Sequence, residues 1–304
     1  MNCSLCCKKA EINLKYASKN FCNAHFLRHY ERRTKEQIKK YSMFSRSHKI
    51  AIGLSGGKDS AALAHLLKKL DYNIIAVTID EGAAGNSKAM KSAAELCKKE
   101  GIEHRVFTFK KSYGRTIDQI MKKKKKLLGK NACSYCGVLR RQLLNKAARE
   151  LKCDRIATGH NLNDEIQTMM MNLFKSDVLR LSRSGPATDF ISAEEFVIKV
   201  KPLRSSYEFE NKIYCDLNSL PYEPHKCFYK QHGLRESMRQ AINGIEEKHP
   251  GALLSALNSL DTIVPVLRGS YRKKKSKTGL KTCRKCGEVC AKETCMACEL
   301  MSSL

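Results

Sequence analysis

The sequence predicts an α/β protein built on a parallel sheet, with a small cysteine-bearing module at each end. Three observations carry this reading. Short β-rich apolar runs alternate with stretches of helical periodicity between residues 49 and 174. A glycine pair sits where the first of those runs gives way to a helix, and most of the 15 cysteines gather at the two ends and at one point in the middle.

In chain order, Cys3, Cys6, Cys7 and Cys22 form the first module, and residues 26–45 follow as a basic, moderately amphipathic helix. Residues 49–54 are a short apolar run ending in glycines, which reads as a buried strand. Residues 61–70 are periodic as a helix. Strand-like 73–79, helical 87–100 and strand-like 103–109 continue the alternation. After a lysine run at 122–126 the pattern resumes with a helix at 138–151, a short strand at 155–159 and a helix at 164–174. Strands alternating with helices imply right-handed crossovers in one parallel sheet. Residues 268–281, rich in Lys, Gly and Ser, read as a linker to a final module holding Cys283, Cys286, Cys290, Cys295 and Cys298. The expected units are 1–30, 31–270 and 271–304.

Lys and Arg number 57 against 30 Asp and Glu, a net charge of +27 and a pI near 9.6. A chain this basic attracts a polyanion, and nucleic acid is the commonest one. The first residues carry no apolar leader, and no apolar run approaches the ~20 residues that a bilayer span needs. This predicts a cytoplasmic chain with no membrane segment, in which thiols stay reduced. Fifteen cysteines there point to metal or redox chemistry rather than to disulfides.

The junction reads Gly53-Leu54-Ser55-Gly56-Gly57-Lys58-Asp59-Ser60. Small residues between a strand and a helix let the backbone approach phosphates, with N–H groups and the helix dipole facing the anion. Lys58 adds a mobile positive charge, and Ser55 and Ser60 add hydroxyl donors. The spacing is not that of a Walker A loop.

Ser55 to Ser60 resembles the signature of the PP-loop ATP pyrophosphatases, which split ATP to AMP and pyrophosphate and form adenylated intermediates on an adenine nucleotide alpha hydrolase-like fold. Ile79-Asp80-Glu81-Gly82 is similar to the strand end that contacts adenine in that family. Gly159-His160-Asn161-Leu162-Asn163-Asp164-Glu165 is similar to its second nucleotide-contacting stretch. The resemblance implies ATP with Mg²⁺, nucleotide contacts at Ile79, Asp80, Arg140, Gly159 and His160, and a metal-placing role for Asp59 or Asp164.

Cys133 and Cys136 open a helix next to Arg140 and Arg141, where the dipole and the guanidinium groups favour thiolates. By themselves they fit a redox dithiol, half of a zinc site, or two iron–sulfur ligands. Here the chain resembles the TtuA-like tRNA 2-thiolation enzymes and the archaeal and eukaryotic wobble-uridine thiolases. The resemblance implies a [4Fe–4S] cluster on Cys133, Cys136 and Cys227, with Cys215 as the competing third ligand.

The terminal modules read Cys3-x2-Cys6-x15-Cys22-x2-His25 and Cys283-x2-Cys286-x8-Cys295-x2-Cys298. Two closely spaced ligand pairs in each suit tetrahedral zinc, two Zn²⁺ in all, and modules poor in apolar residues need the metal to fold. Both also match the thiolase family in position. The family resemblance implies a tRNA uridine 2-sulfurtransferase, a ubiquitin-like thiocarboxylate protein as sulfur donor, and a homodimer. Its lysine runs at 122–126 and 272–275 are expected to meet tRNA. The competing readings are a cytidine 2-thiolase or lysidine-type ligase, and a non-enzymatic zinc-finger RNA-binding protein.

Overall fold

A computed structural model describes residues 1–124, 132–188, 196–224, 229, 234–274 and 281–304. Cys227, the 125–126 part of the first lysine run, the side chains of residues 124 and 272–274, and Lys275 lie outside the described residues.

An antiparallel hairpin, β1 (Ile12–Leu14) and β2 (Lys19–Phe21), leads into α1 (Asn23–Lys40). The body then runs β3 (Ile50–Gly53), α2 (Lys58–Lys69), β4 (Ile74–Asp80), α3 (Ser87–Glu100), β5 (Glu103–Thr108), α4 (Phe109–Tyr113), α5 (Ile117–Lys124), α6 (Ala132–Glu150), β6 (Arg155–Thr158), α7 (Leu162–Phe174) and α8 (Val178–Leu181). It continues with β7 (Ile198–Val200), α9 (Glu208–Leu217), α10 (Leu234–Lys248) and α11 (Ala252–Lys274). The last module holds a two-residue hairpin, β8 (Lys281–Thr282) and β9 (Val289–Cys290), and α12 (Met296–Ser302).

The expected parallel sheet is present, with five strands in the order β5-β4-β3-β6-β7. Ile50, Ala51 and Ile52 of central β3 are all buried, as a strand covered on both faces requires. Gly53 pairs with Val77 on one side and with Thr158 on the other, so β3 and β6 finish level while β4 runs on to Asp80 beside β5. The chain builds outward from β3 to β5, then returns to place β6 on the opposite side of β3. That reversal is the switch point at which open α/β sheets bind ligands. It brings the Ser55 loop and the Gly159–His160 stretch side by side.

Several boundaries differ from the sequence reading for identifiable reasons. α1 starts at Asn23, with Cys22 at its N-cap, and stops at Lys40, just before Ser42 adopts left-handed backbone at φ +45°. Met43 and Phe44 are buried as coil, so their apolar character imitated a longer helix. Phe109 belongs to a helix rather than to β5, because the Thr108 hydroxyl caps it by accepting from the Lys111 N–H at 3.1 Å. Residues 268–274 are the last turns of α11 and not a linker; Arg268 is fixed by donating to the Ser182 and Ser184 carbonyls at 3.0 and 2.9 Å.

The first module is also less independent than its cysteine spacing suggests. Ile12, Leu14, Phe21 and Phe26 are buried in the same core as Ile50, Leu63 and Leu67. α1 runs through the expected boundary at residue 30, and α11 through that at 270. The last module packs Cys283, Cys295, Ala297 and Leu300 against Tyr135, Leu139 and Leu143 of α6. Elsewhere a fully buried Arg204 makes two bonds to Asp261, at 2.8 and 2.7 Å, and so ties α11 to the turn after β7.

Gly56 shows what the loop demands of its backbone. Its φ is +78°, and an added Cβ would lie 1.9 Å from the Ala89 carbonyl oxygen. Gly101 has φ +60° but nothing within 4 Å of such a Cβ. Gly56→Ala is therefore expected to lower the thermal midpoint by several degrees more than Gly101→Ala, whose cost is left-handed backbone alone, about 1 kcal/mol. Calorimetric melting of the two variants checks this.

Candidate nucleotide site and cysteine centres

The strand-to-helix loop closes around one hydroxyl. Ser60 Oγ donates to the Gly57 carbonyl at 2.9 Å and accepts from the Ser55 N–H at 3.2 Å. Gly57 is the extended N-cap of α2. The first turn of α2 thus presents its N–H groups and positive dipole end at the sheet edge. The Gly56 carbonyl accepts from the Glu223 N–H at 2.9 Å, which joins the segment before Cys227 to this loop.

Lys58 and Asp59 are both held. Lys58 Nζ lies 3.2 Å from Asp59 Oδ2 and 2.8 Å from Glu208 Oε1. Partial burial opposes its charge, but the two carboxylates outweigh that and keep its pKa above the ordinary lysine value. Asp59 Oδ1 accepts from the amides of Asn161 at 3.1 Å and Asn211 at 2.8 Å.

Gly159 fits because it has no side chain: a Cβ there would sit 2.7 Å from the Asp59 carbonyl carbon. His160 follows, its Nδ1 2.8 Å from Thr158 Oγ1. Asp164 forms a capping box with Asn161 at the start of α7. Partial burial raises its pKa. On the other side, Asp80 Oδ1 turns the end of β4 by accepting from the Gly82 N–H at 2.8 Å, with Ile79 half-buried behind it.

Arg140 connects this edge to the central cysteines. Its Nε lies 2.5 Å from Glu81 Oε1 and its Nη2 3.5 Å from Cys136 Sγ. Glu81 is buried and also accepts from Asn86 Nδ2 at 3.1 Å. Cys133 and Cys136 stand on the first turns of α6, the first exposed and the second half-buried. Cys133 Sγ is 3.9 Å from the carbonyl oxygen of Tyr229. Cys215 is elsewhere: it is fully buried in α9 with its thiol 3.2 Å from the Lys58 carbonyl, and burial pushes its pKa up to about 12.

Both terminal quartets assemble as their spacing predicts. The ligand atoms of Cys3, Cys6, Cys22 and His25 lie within 4.8 Å of one another, as do those of Cys283, Cys286, Cys295 and Cys298. Sulfur separations of 3.9 Å for Cys6 and Cys22, and 3.6 Å for Cys286 and Cys295, match the ~3.8 Å edge of a tetrahedron with ~2.3 Å zinc–sulfur bonds. Backbone N–H donors, that of Cys295 foremost, bring the Cys283 thiol down to about 6. The leftover thiols differ: Cys7 is exposed, and Cys290 donates to the Lys292 carbonyl at 2.9 Å.

Sequence reasoning missed Glu208, Asn211 and the Glu81 partner of Arg140. Glu81 belongs to the Ile79–Gly82 motif, but its burial and its pairing with Arg140 show only in the fold. Glu208 and Asn211 carry no motif and lie about 150 residues from the loop they hold.

A glycine turn, a held lysine and a helix N-terminus brought together at a sheet switch point define a nucleotide-binding α/β domain. The PP-loop domain family matches residues 27–243. The tRNA 2-thiolation protein NcsA of Haloferax volcanii is 32% identical over 321 residues, covering 100% of this chain and 99% of that protein. The tRNA-5-methyluridine(54) 2-sulfurtransferase of Thermotoga maritima is 33% identical, covering 99% of this chain and 96% of its own. The solved U34-tRNA thiolase NcsA of Methanococcus maripaludis, with its [4Fe-4S] cluster, superposes with a TM-score of 0.84 at 29% identity over 100% of this chain and 96% of that one. The chain belongs to the PP-loop family, and within it to the tRNA 2-thiolation proteins.

Thiol environments differ enough to be read chemically. Cys133 is exposed, whereas burial raises Cys97 and Cys153 to about 11 and Cys215 to about 12. At pH 8 under reducing, metal-free conditions, iodoacetamide is expected to alkylate Cys133 and to leave those three unmodified until denaturant is added, as read by peptide mass spectrometry.

Proposed function

We propose that this chain is an ATP-dependent tRNA uridine 2-sulfurtransferase. The C2 carbonyl of uridine is a poor electrophile with a poor leaving group. Joining AMP to that oxygen expels pyrophosphate and makes the oxygen part of a good leaving group. Incoming sulfide then forms the C–S bond as the C–O bond breaks and AMP departs.

The loop N–H groups, Ser55 and Lys58 hold the phosphate chain and favour the departing pyrophosphate. Mg²⁺ would accompany ATP, with Asp59 and Asp164 the nearest carboxylates, and Ile79, Asp80, Gly159 and His160 would line the nucleotide. The observation that carries the proposal is Arg140, one side chain touching both Glu81 beside the nucleotide edge and the thiol of Cys136. It sets sulfur chemistry next to adenylation.

The donor set suits a cluster: Cys133 and Cys136 sit at a helix N-terminus, and Tyr229, two positions after Cys227 in sequence, reaches Cys133 with its carbonyl. Cys133, Cys136 and Cys227 would hold a [4Fe–4S] cluster, which would supply an attachment point for sulfide. Cys215 is unsuited as third ligand because it is buried against Lys58. The two quartets would each hold one structural Zn²⁺.

The +27 charge supports tRNA as the substrate, met largely through its phosphates, with the target base flipped from its stack. Lys122 and Lys123 are exposed where such contacts are expected. In this reading a ubiquitin-like thiocarboxylate protein delivers the sulfur in the cytoplasm. Exposed Leu173 and Phe174 of α7, with Ile263 and Val266 of α11, offer apolar surface for a homodimer.

Anaerobically purified protein is expected to carry iron and sulfide together with two zinc ions per chain. Nucleoside mass spectrometry of tRNA after reaction with ATP and sulfide should detect 2-thiouridine. Cys133→Ala should lose iron and at least about a hundredfold of the product while keeping its zinc. Iron-free wild type, together with equal thiolation by Cys133→Ala, would sink the proposal.

A further inference from the structure

The nucleotide loop is gripped from behind by a helix that no motif marks. Glu208, Asn211 and Cys215 lie three and four residues apart on one face of α9, and all three meet the first turn of α2. Glu208 Oε1 binds Lys58 Nζ at 2.8 Å, Asn211 Nδ2 donates to Asp59 Oδ1 at 2.8 Å, and Cys215 Sγ donates to the Lys58 carbonyl at 3.2 Å. Asn211 is fully buried. Its own orientation is fixed from α1, because the buried Tyr30 hydroxyl donates to Asn211 Oδ1 at 2.7 Å. With Oδ1 occupied by a donor, only the Nδ2 end can face Asp59. Tyr30 is held in turn by stacking on Tyr214 of α9, ring centroids 4.4 Å apart.

Asn161 reaches the same Asp59 oxygen from the opposite side of the loop, at 3.1 Å. Two amide donors therefore fix Asp59 Oδ1, and Lys58 takes Oδ2. The carboxylate has a single orientation available to it before any nucleotide arrives.

We propose that Asn211 is a positioning residue of the nucleotide site, set by Tyr30, which holds the Asp59 carboxylate in the orientation that Mg²⁺–ATP requires. This rests on the reading of the loop as an ATP site. Asn211 touches neither substrate nor metal, and it acts through Asp59. It follows that Asn211→Ala matters only while residue 59 is a carboxylate.

The test is a double-mutant cycle on Mg²⁺–ATP affinity, measured by calorimetry on the full chain at several Mg²⁺ concentrations. Asn211→Ala is expected to weaken Mg²⁺–ATP about tenfold. The loss should shrink as Mg²⁺ is raised, with tRNA affinity unchanged. In the Asp59→Ala background, which removes the oxygen that Asn211 donates to, the same substitution is expected to cost less than about twofold, the non-additivity of residues acting through one another. Tyr30→Phe, which keeps the ring stack and creates no cavity, should give a smaller loss of the same kind. Equal, additive losses in both backgrounds would overturn the proposal, as would Mg²⁺–ATP affinity unchanged in both Asn211→Ala and Tyr30→Phe. A wild type that binds Mg²⁺–ATP but forms no thiouridine would defeat the proposed function and leave the cycle able to decide the role of Asn211.

Discussion

The site depends on how closely the exit of β6 approaches the first turn of α2. At Gly159 there is no room for even a methyl group against the Asp59 backbone. That contact sets β6 beside β3 at the switch point, and it lets Asn161 reach Asp59 across the gap. Gly56 makes the matching approach to α3 on the other side, against the Ala89 carbonyl. Between these two steric stops the loop has one shape available, so its N–H groups are aimed before a ligand binds. Preorganisation of this kind removes a cost that a floppy loop would meet at each turnover.

Charge is paired around that shape. Arg204 and Asp261 are joined in the interior, Glu165 lies between Lys201 at 2.6 Å and Arg204 at 3.8 Å, and Lys58 stands at the loop itself between Asp59 and Glu208. Each deep charge has a partner, as burial demands.

What the sequence made legible was what is local. The loop from Ser55 to Ser60, the pair Cys133 and Cys136, and the two quartets each lie within a few turns of chain, and residue type plus spacing described them. The parallel sheet was legible for the same reason, since alternating elements allow few topologies. The three-residue strand β7 was too short to register, and α9 to α11 showed no motif. Nothing in residue type or spacing marks Asn211 and Glu208, and only the fold shows that they face inward to α2. The independence of the first module was over-read because its cysteines drew attention from Leu14, Phe21 and Phe26, which join it to the central core.

The docking of the last module on α6 has a temporal side. Gln142 of α6 donates to Cys295 Sγ at 3.3 Å and accepts from the Tyr113 hydroxyl at 3.1 Å, while Tyr135, Leu139 and Leu143 pack beneath the cysteine loop. On a ribosome, the part of that apolar flank which meets Cys295, Ala297 and Leu300 stays uncovered until those residues have emerged. The helix that carries Cys133 and Cys136 therefore completes its packing only after residues far downstream of it have been made.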